Sequence, residues 1–361
     1  MRNSSAFLRE EVFRQRTRRT LHWLQQNIEQ GGDGSAAYYH LWRGWAAPYP
    51  ETTGYIIETL FDYGDYFQEE QWRNLATRCA DWLCSIQLAN GAFPGGVGIE
   101  GEPLIFDTGQ IIFGLTRTFV ETGEEKYRLA FEKAVHWLLE LLKPDGSWRQ
   151  YAYVPGYTPS YYTRVVWAVL NANQVLRQAG IDQQMQQALD FYLQKITPNQ
   201  SIQDWAFAPG EAAFTHTIAY TLRGMLESAL LLEQSDLLAQ PLHVLDKIVK
   251  LHQQRGKLAG CYDAHWQGDY TFSCVTGDAQ MSILLARAYQ TTGDQIYLEV
   301  ATQVFERVAG RQWTFPFHGL RGAIPGSAPV WGAYQRFRFP NWAAKFYLDM
   351  YLILEKLEPT H

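Results

Sequence analysis

Thr53-Gly54-Tyr55-Ile56-Ile57, Thr108-Gly109-Gln110-Ile111-Ile112 and Thr163-Arg164-Val165-Val166-Trp167 start 55 residues apart, twice in succession. Each opens on small or polar residues and runs on as an apolar segment of helical length. The series continues at Thr215-His216-Thr217-Ile218, Thr276-Gly277-Asp278-Ala279 and Pro340-Asn341-Trp342-Ala343, at spacings of 52, 61 and 64. A fixed period of this size marks a repeated supersecondary unit, so the reading of the whole chain follows from these six starts.

A second series lies between them, anchored at Trp23, Trp82, Trp137, Phe191, Leu245 and Val304. Here apolar residues recur every three or four positions, with Glu, Lys, Arg and Gln between them, as in a helix with one wet face. The first series carries few charges and predicts inner helices covered on most sides. Six outer and six inner helices in alternation close into a double-layered ring, and one all-α domain over residues 1–361 accounts for the chain. After two outer helices the loops Gln87 to Phe93 and Lys143 to Trp148 place a glycine just past the helix end and an aromatic that folds back onto the helix before it.

Composition narrows the function. The chain has 361 residues, 47% hydrophobic, with 13 Trp, 21 Tyr and 19 Phe, enough apolar mass for one large core and unusually aromatic for a soluble protein. Core packing accounts for many of these rings, and flat aromatic faces also suit the C–H side of a pyranose ring; composition favours neither reading. The net charge is −6, and the only basic run is Arg14 to Arg19, so nucleic acid is not an expected partner. Met1 to Thr20 holds no apolar core of a signal peptide, and no stretch of 18 apolar residues occurs. The expectation is a cytoplasmic protein with no membrane insertion. Cys79, Cys84, Cys261 and Cys274 lack CxxC spacing, which predicts reduced thiols. No metal or cofactor motif is found, and none is expected.

In such a ring the inner-helix N-termini open on one face, so residues distant in sequence converge there. Those starts supply Glu51, Asp107, Arg164, His216, Asp278 and Asn341, with Gln110, Tyr220, Gln280 and Lys345 further along the same helices. Acids in a first helical turn also serve as caps or dipole partners, which is the plainer account of Asp107 and Asp278. Their company points further: Glu51 and Asp107 sit on adjacent inner helices, and Asp278 lies across the ring. A glycosidase needs one protonated carboxyl and one ionised carboxyl ~5 to 10 Å apart. Alternatively, His216 and Tyr220, one turn apart, would remove the proton beside a uronate carboxylate held by Arg164 and Asn341. Trp42, Arg43 and Trp45 precede the first inner helix, the Tyr-rich stretch Tyr151 to Tyr162 the third and Trp266 the fifth. Tyr334 belongs to an aperiodic stretch, about 313–340, that reads as a loop over the cavity, and Trp342 follows it at the last inner-helix start. These aromatics are the candidate substrate platforms.

The alternating double series resembles the superfamily of (α/α)6 toroids, which includes six-hairpin glycosidases, toroid polysaccharide lyases, terpenoid cyclases and prenyltransferases. The motifs Tyr49-Pro50-Glu51-Thr52-Thr53-Gly54-Tyr55, Phe106-Asp107-Thr108-Gly109-Gln110, Thr215 to Tyr220, Thr276 to Gln280 and Pro340 to Phe346 are similar to those of bacterial proteins associated with surface-polysaccharide biosynthesis. That resemblance implies a poly- or oligosaccharide substrate. Hydrolysis by paired carboxylates is the first expectation, a uronate lyase or C5-epimerase the second, and glycan binding without catalysis the third. Terpenoid chemistry comes last, because the chain has no DxDD or DDxxD segment and its inner starts are polar.

Overall fold

The computed structural model describes residues 4–315 and 319–357, so residues 316–318 of the long loop lie outside it. Among the described residues there are twelve α-helices. The outer series is α1 (Ser4–Gln30), α3 (Glu70–Ile86), α5 (Glu125–Leu141), α7 (Ile181–Leu193), α9 (Ser235–Arg255) and α11 (Gln295–Ala309). The inner series is α2 (Pro50–Phe67), α4 (Ile105–Thr122), α6 (Thr163–Leu176), α8 (Thr215–Leu231), α10 (Val275–Thr292) and α12 (Asn341–Leu357). Each inner helix packs on the next, and α12 returns to α2 and α1, closing the ring. The chain is an (α/α)6 toroid, as its 52- to 64-residue period predicts.

Glycine sets the spacing of the inner ring. A Cβ on Gly54 would stand 2.5 Å from the Ile111 Cα on α4, and one on Gly114 would stand 2.0 Å from the Gly54 carbonyl oxygen. The same device joins α6 to α8, where Gly224 meets the Thr163 carbonyl carbon at 2.4 Å, and α8 to α10, where Gly277 meets the His216 nitrogen at 2.4 Å. Helices that touch backbone to backbone leave no room for side chains between them, so the flanking residues turn toward the axis or the outer layer.

The loops behave as the repeat predicts. Gln87 Nε2 donates to the carbonyls of Gly91 and Ala130 at 2.9 and 2.8 Å, tying its turn to α5. Trp148 Nε1 donates to the Leu138 carbonyl at 2.8 Å, folding the indole back onto the helix it follows. Arg223 and Glu227 approach to 3.5 Å, but the principal partner of Glu227 is Arg287 on α10, with contacts of 2.8 and 2.9 Å.

The all-α expectation omits seven strands of two or three residues. β1 (Tyr38–His40) pairs with β2 (Gly44–Trp45) and β7 (Arg338–Pro340), β3 (Ala213–Phe214) with β4 (Cys261–Tyr262), and β5 (Ser273–Cys274) with β6 (Ser327–Ala328), all antiparallel. Pieces this short carry no readable alternation; they form because long loops need backbone partners where they cross. All seven lie on the face where the inner helices begin.

Gly54→Ala is expected to cost about 2 kcal/mol or more, the range for overpacking a tight core, because backbone rather than a movable side chain blocks the new methyl. Gly310→Ala, where the nearest atom is 3.5 Å away and φ is −68°, is expected to be neutral. Urea midpoints of the two variants measure the contrast; equal midpoints would remove glycine as the spacer of the ring.

Candidate active site

Glu51 lies in the first turn of α2 and Asp107 in the first turn of α4; both are buried, at 5% and 0% exposure. The glycine contact between the two helices brings these turns side by side. Asp107 Oδ2 accepts from the Gly96 N–H at 2.7 Å, and both carboxyl oxygens lie 2.8 Å from the Tyr153 hydroxyl. The Tyr153 hydroxyl is 2.5 Å from that of Tyr49. Burial raises both acids well above the usual carboxylate range, and the charge of Asp107 raises Glu51 further.

Counting protons gives part of this network a direction. A phenol has one proton. Tyr153 spends its proton on Asp107, and Tyr49 can donate in turn to Tyr153. The Glu51 carboxyl lies beside the hydroxyls of Tyr49 and Tyr55, both of which act to lower its pKa against the rise from burial. On its other side the Tyr220 hydroxyl donates to Tyr55 at 3.4 Å, leaving the Tyr55 proton for Glu51. Gln280 hydrogen-bonds Tyr220, and its Oε1 is 2.6 Å from His216 Nδ1. With the amide nitrogen turned to Tyr220, His216 carries its proton on Nδ1 and a lone pair on Nε2. Burial holds the imidazole neutral, with its pKa lowered to about 3. Polar contacts thus link His216, Gln280, Tyr220 and Tyr55 on one side of Glu51, and Tyr49, Tyr153 and Asp107 on the other.

Arg164 is 3% exposed and lies over the faces of Tyr220 at 4.6 Å and Trp167 at 5.1 Å. Its Nε donates to Gln110 Oε1 at 2.7 Å, which leaves Gln110 Nε2 buried without a partner. Its positive charge offsets part of the cost of burying Glu51. The site is roofed by loop aromatics. Tyr153 has its ring 45% exposed and its hydroxyl turned inward; Phe207, 39% exposed, packs 6.0 Å from both His216 and Tyr161.

Of the residues singled out in the sequence, Glu51, Asp107, Gln110, Arg164, His216, Tyr220 and Gln280 come together here. Tyr334 adds its ring, 5.2 Å from His216, and its hydroxyl accepts from Trp342 Nε1 at 2.8 Å. The others fall elsewhere. Asp278 points from α10 toward the outer layer, where Arg307, Arg311 and Lys257 are the nearest charges, and its Oδ1 has no partner. Gly277 must face α8 closely, and the next side chain along the helix is turned away.

Asn341 is a clamp: its Nδ2 bonds Ser35 Oγ at 2.9 Å, the Ala36 carbonyl at 3.0 Å and Thr52 Oγ1 at 2.8 Å. Lys345 lies a turn deeper, paired with Asp349. Tyr162 is sealed between Trp148 and Phe106, and Trp266 is fixed to the Asn199 carbonyl and packed on Trp205. Trp45 packs on Trp23 and Tyr39, while Trp42 and Arg43 stand exposed on the hairpin outside the site.

Tyr49, Tyr55 and Gly96 are the participants that sequence reasoning passes over, while Tyr153 belongs to the Tyr-rich stretch expected to line this face. Tyr55 is one turn beyond Glu51 and was within reach of a helical reading. Gly96 contributes only a backbone N–H, which no side-chain pattern signals.

Glu51, Asp107 and Asp278, the last with its pKa raised to about 8 by burial, all hold their protons to higher pH folded than unfolded. Between the ordinary carboxylate range and about pH 8 the folded state binds more protons, so stability falls as pH rises and is greatest at the acid end of that window. Asp278→Asn is expected to flatten this fall in urea titrations at intervals from pH 5 to pH 9. An unchanged slope would mean that the carboxyl is already ionised when buried.

No curated protein matches the chain. A family profile described as pectic acid lyase matches residues 107–223, which span Asp107, Arg164, His216 and Tyr220. Among solved structures, a sugar epimerase from a ruminal bacterium superposes with a TM-score of 0.79 at 14% identity, covering 97% of this chain and 99% of that one. An unsaturated glucuronyl hydrolase specific for heparin gives 0.77 at 13% identity over 97% and 98%. A D-mannose isomerase gives 0.76 at 10% identity over 96% and 98%. Over nearly its whole length, the chain shares the (α/α)6 toroid fold of these proteins.

Proposed function

We propose that this protein is a glycan-processing enzyme that hydrolyses a glycosidic bond with Glu51 as general acid and Asp107 as general base. The observation that carries the reading is a pair of buried carboxyls at adjacent helix starts, of which Asp107 receives the Gly96 N–H and the Tyr153 hydroxyl that favour its anion, while burial and the charge of Asp107 push Glu51 toward its protonated form. Glu51 passes its proton to the glycosidic oxygen as the bond to the anomeric carbon breaks. Asp107 takes a proton from the water that attacks that carbon, and each acid ends in the other's starting state. Access requires Tyr153 to leave Asp107, and sugar hydroxyls replace the phenol as hydrogen-bond partners. The solved toroids that resemble this chain include a hydrolase, an epimerase and an isomerase of sugars, which supports the substrate class.

A second reading has its own support. The pectic acid lyase profile covers the segment that holds Arg164, His216 and Tyr220, and a neutral imidazole with a free Nε2 lone pair beside a buried guanidinium suits removal of a proton next to a carboxylate. The product would be an unsaturated uronate or, after return of the proton to the other face, the epimer.

Incubation with neutral and uronate-containing polysaccharides, following reducing ends and absorbance near ~235 nm, separates the two. Hydrolysis gives reducing ends without the absorbance, and Asp107→Asn or Glu51→Gln lowers the rate by about 10²–10⁴. On an aryl glycoside whose leaving group needs no proton, Glu51→Gln retains activity and Asp107→Asn does not. Absorbance abolished by His216→Ala would sink the hydrolase reading.

The rate of the parent rises with pH as Asp107 ionises and falls as Glu51 loses its proton. Glu51→Gln removes the alkaline limb for the activated substrate. A profile that keeps this limb would assign the acid to another residue.

A further inference from the structure

No Asp or Glu occurs between Asp33 and Glu51 or between Glu306 and Asp349, in a chain whose net charge is −6. The fold sets these two acid-free segments side by side: β1 pairs with β7, and the Leu41 N–H donates to the Phe337 carbonyl at 3.0 Å. The junction carries Arg43, Arg336 and Arg338. Arg338 lies over the Tyr38 ring at 4.4 Å, and among the described residues no carboxylate pairs with any of the three. His40 feels their field: its pKa is lowered, first by burial and then by the charges of Arg43 and Arg338.

Two of the most exposed large apolar side chains belong to the same junction, Trp42 at 68% and Trp331 at 61%. Trp42 packs on Phe337 with ring centroids 4.6 Å apart, and the Phe337 N–H donates at 2.8 Å to the carbonyl of Val330, the residue before Trp331. Solvent-facing indoles supported from beneath, without an acid between the arginines, are a costly arrangement for a free surface. It suits a ligand with flat apolar faces and negative charge at intervals. A pyranose ring packs on an indole and a uronate carboxylate takes a guanidinium fork. The junction also adjoins the site, because Tyr334, between Trp331 and Arg336, lies against His216.

The geometry points to a chain-binding rim on the β1–β2 hairpin and residues 330–338, which holds an acidic polysaccharide outside the cavity through Trp42, Trp331, Arg43 and Arg336. The ligand class rests on the glycan reading above, but the rim does not depend on which reaction follows or on any reaction occurring.

The test is therefore one of binding. Full-length protein carrying Asp107→Asn, to prevent turnover, is run through native gels containing polygalacturonate, hyaluronan or dextran, with mobility normalised to a polymer-free gel. The rim predicts retardation by at least one of the acidic polymers, loss of it in added salt, and none with dextran. Trp42→Ala with Trp331→Ala, and separately Arg43→Gln with Arg336→Gln, should restore the dextran mobility. All four side chains are solvent-facing, and the arginine pair carries the test should the tryptophan pair disturb folding. No retardation by either acidic polymer, equal retardation by dextran, or retardation that survives both double variants would overturn the rim. Retardation without turnover in the parent protein supports the rim while counting against the proposed reaction.

Discussion

Backbone contact between inner helices is the constraint on which the rest of this molecule depends. Where Gly54 meets Ile111, Gly224 meets Thr163 and Gly277 meets His216, a Cβ would stand 2.4–2.5 Å from backbone atoms. Helices held this closely leave little of their first turns to water, and Glu51, Asp107, Arg164 and His216 are all at most 5% exposed. Burial in turn shifts their protonation: acids toward the neutral form, the imidazole away from its cation.

Buried polar groups must satisfy one another. The tyrosines contribute to this, Tyr153 giving its proton to Asp107 and Tyr220 giving its own to Tyr55. Hydrogen-bond supply also distinguishes the two carboxyls at neighbouring helix starts. Asp107 receives a backbone N–H and a phenol, both of which favour the anion, whereas Glu51, with no backbone donor to its carboxyl among the described residues, is raised by burial and by the charge of Asp107 as well. The asymmetry lies in hydrogen-bond supply, since both residues are buried.

Outside the site the electrostatics reverse. The loops that carry the aromatics are held by two- and three-residue ladders, and one of these joins the start of the chain to its end at β1 and β7. An overall acidic protein presents at that seam a patch without acids, next to the ring of Tyr334 that faces His216. The seam therefore connects a basic, aromatic exterior with the buried polar interior.

The 52- to 64-residue spacing of Thr53, Thr108, Thr163, Thr215, Thr276 and Pro340 determined by itself that six buried helices alternate with six half-wet ones, since helical periodicity is local and repeats declare themselves. It also determined that Glu51, Asp107, Arg164 and His216 stand at one end of the ring. Which way each side chain turns was decided only by tertiary contact. Asp278 shares its helix position with the others, yet it faces Arg307 and Arg311 because Gly277 must lie against α8. Asn341 looked like a substrate ligand and proves to be a clamp on the loop that holds Ser35 and Ala36. Tyr153 comes from an aperiodic loop, and its hydroxyl reaches Asp107 across 46 residues of sequence. A helical repeat encodes the angle between neighbouring residues on one helix; the angle between one helix and the next is set by which atoms touch, and the sequence does not display those contacts in order.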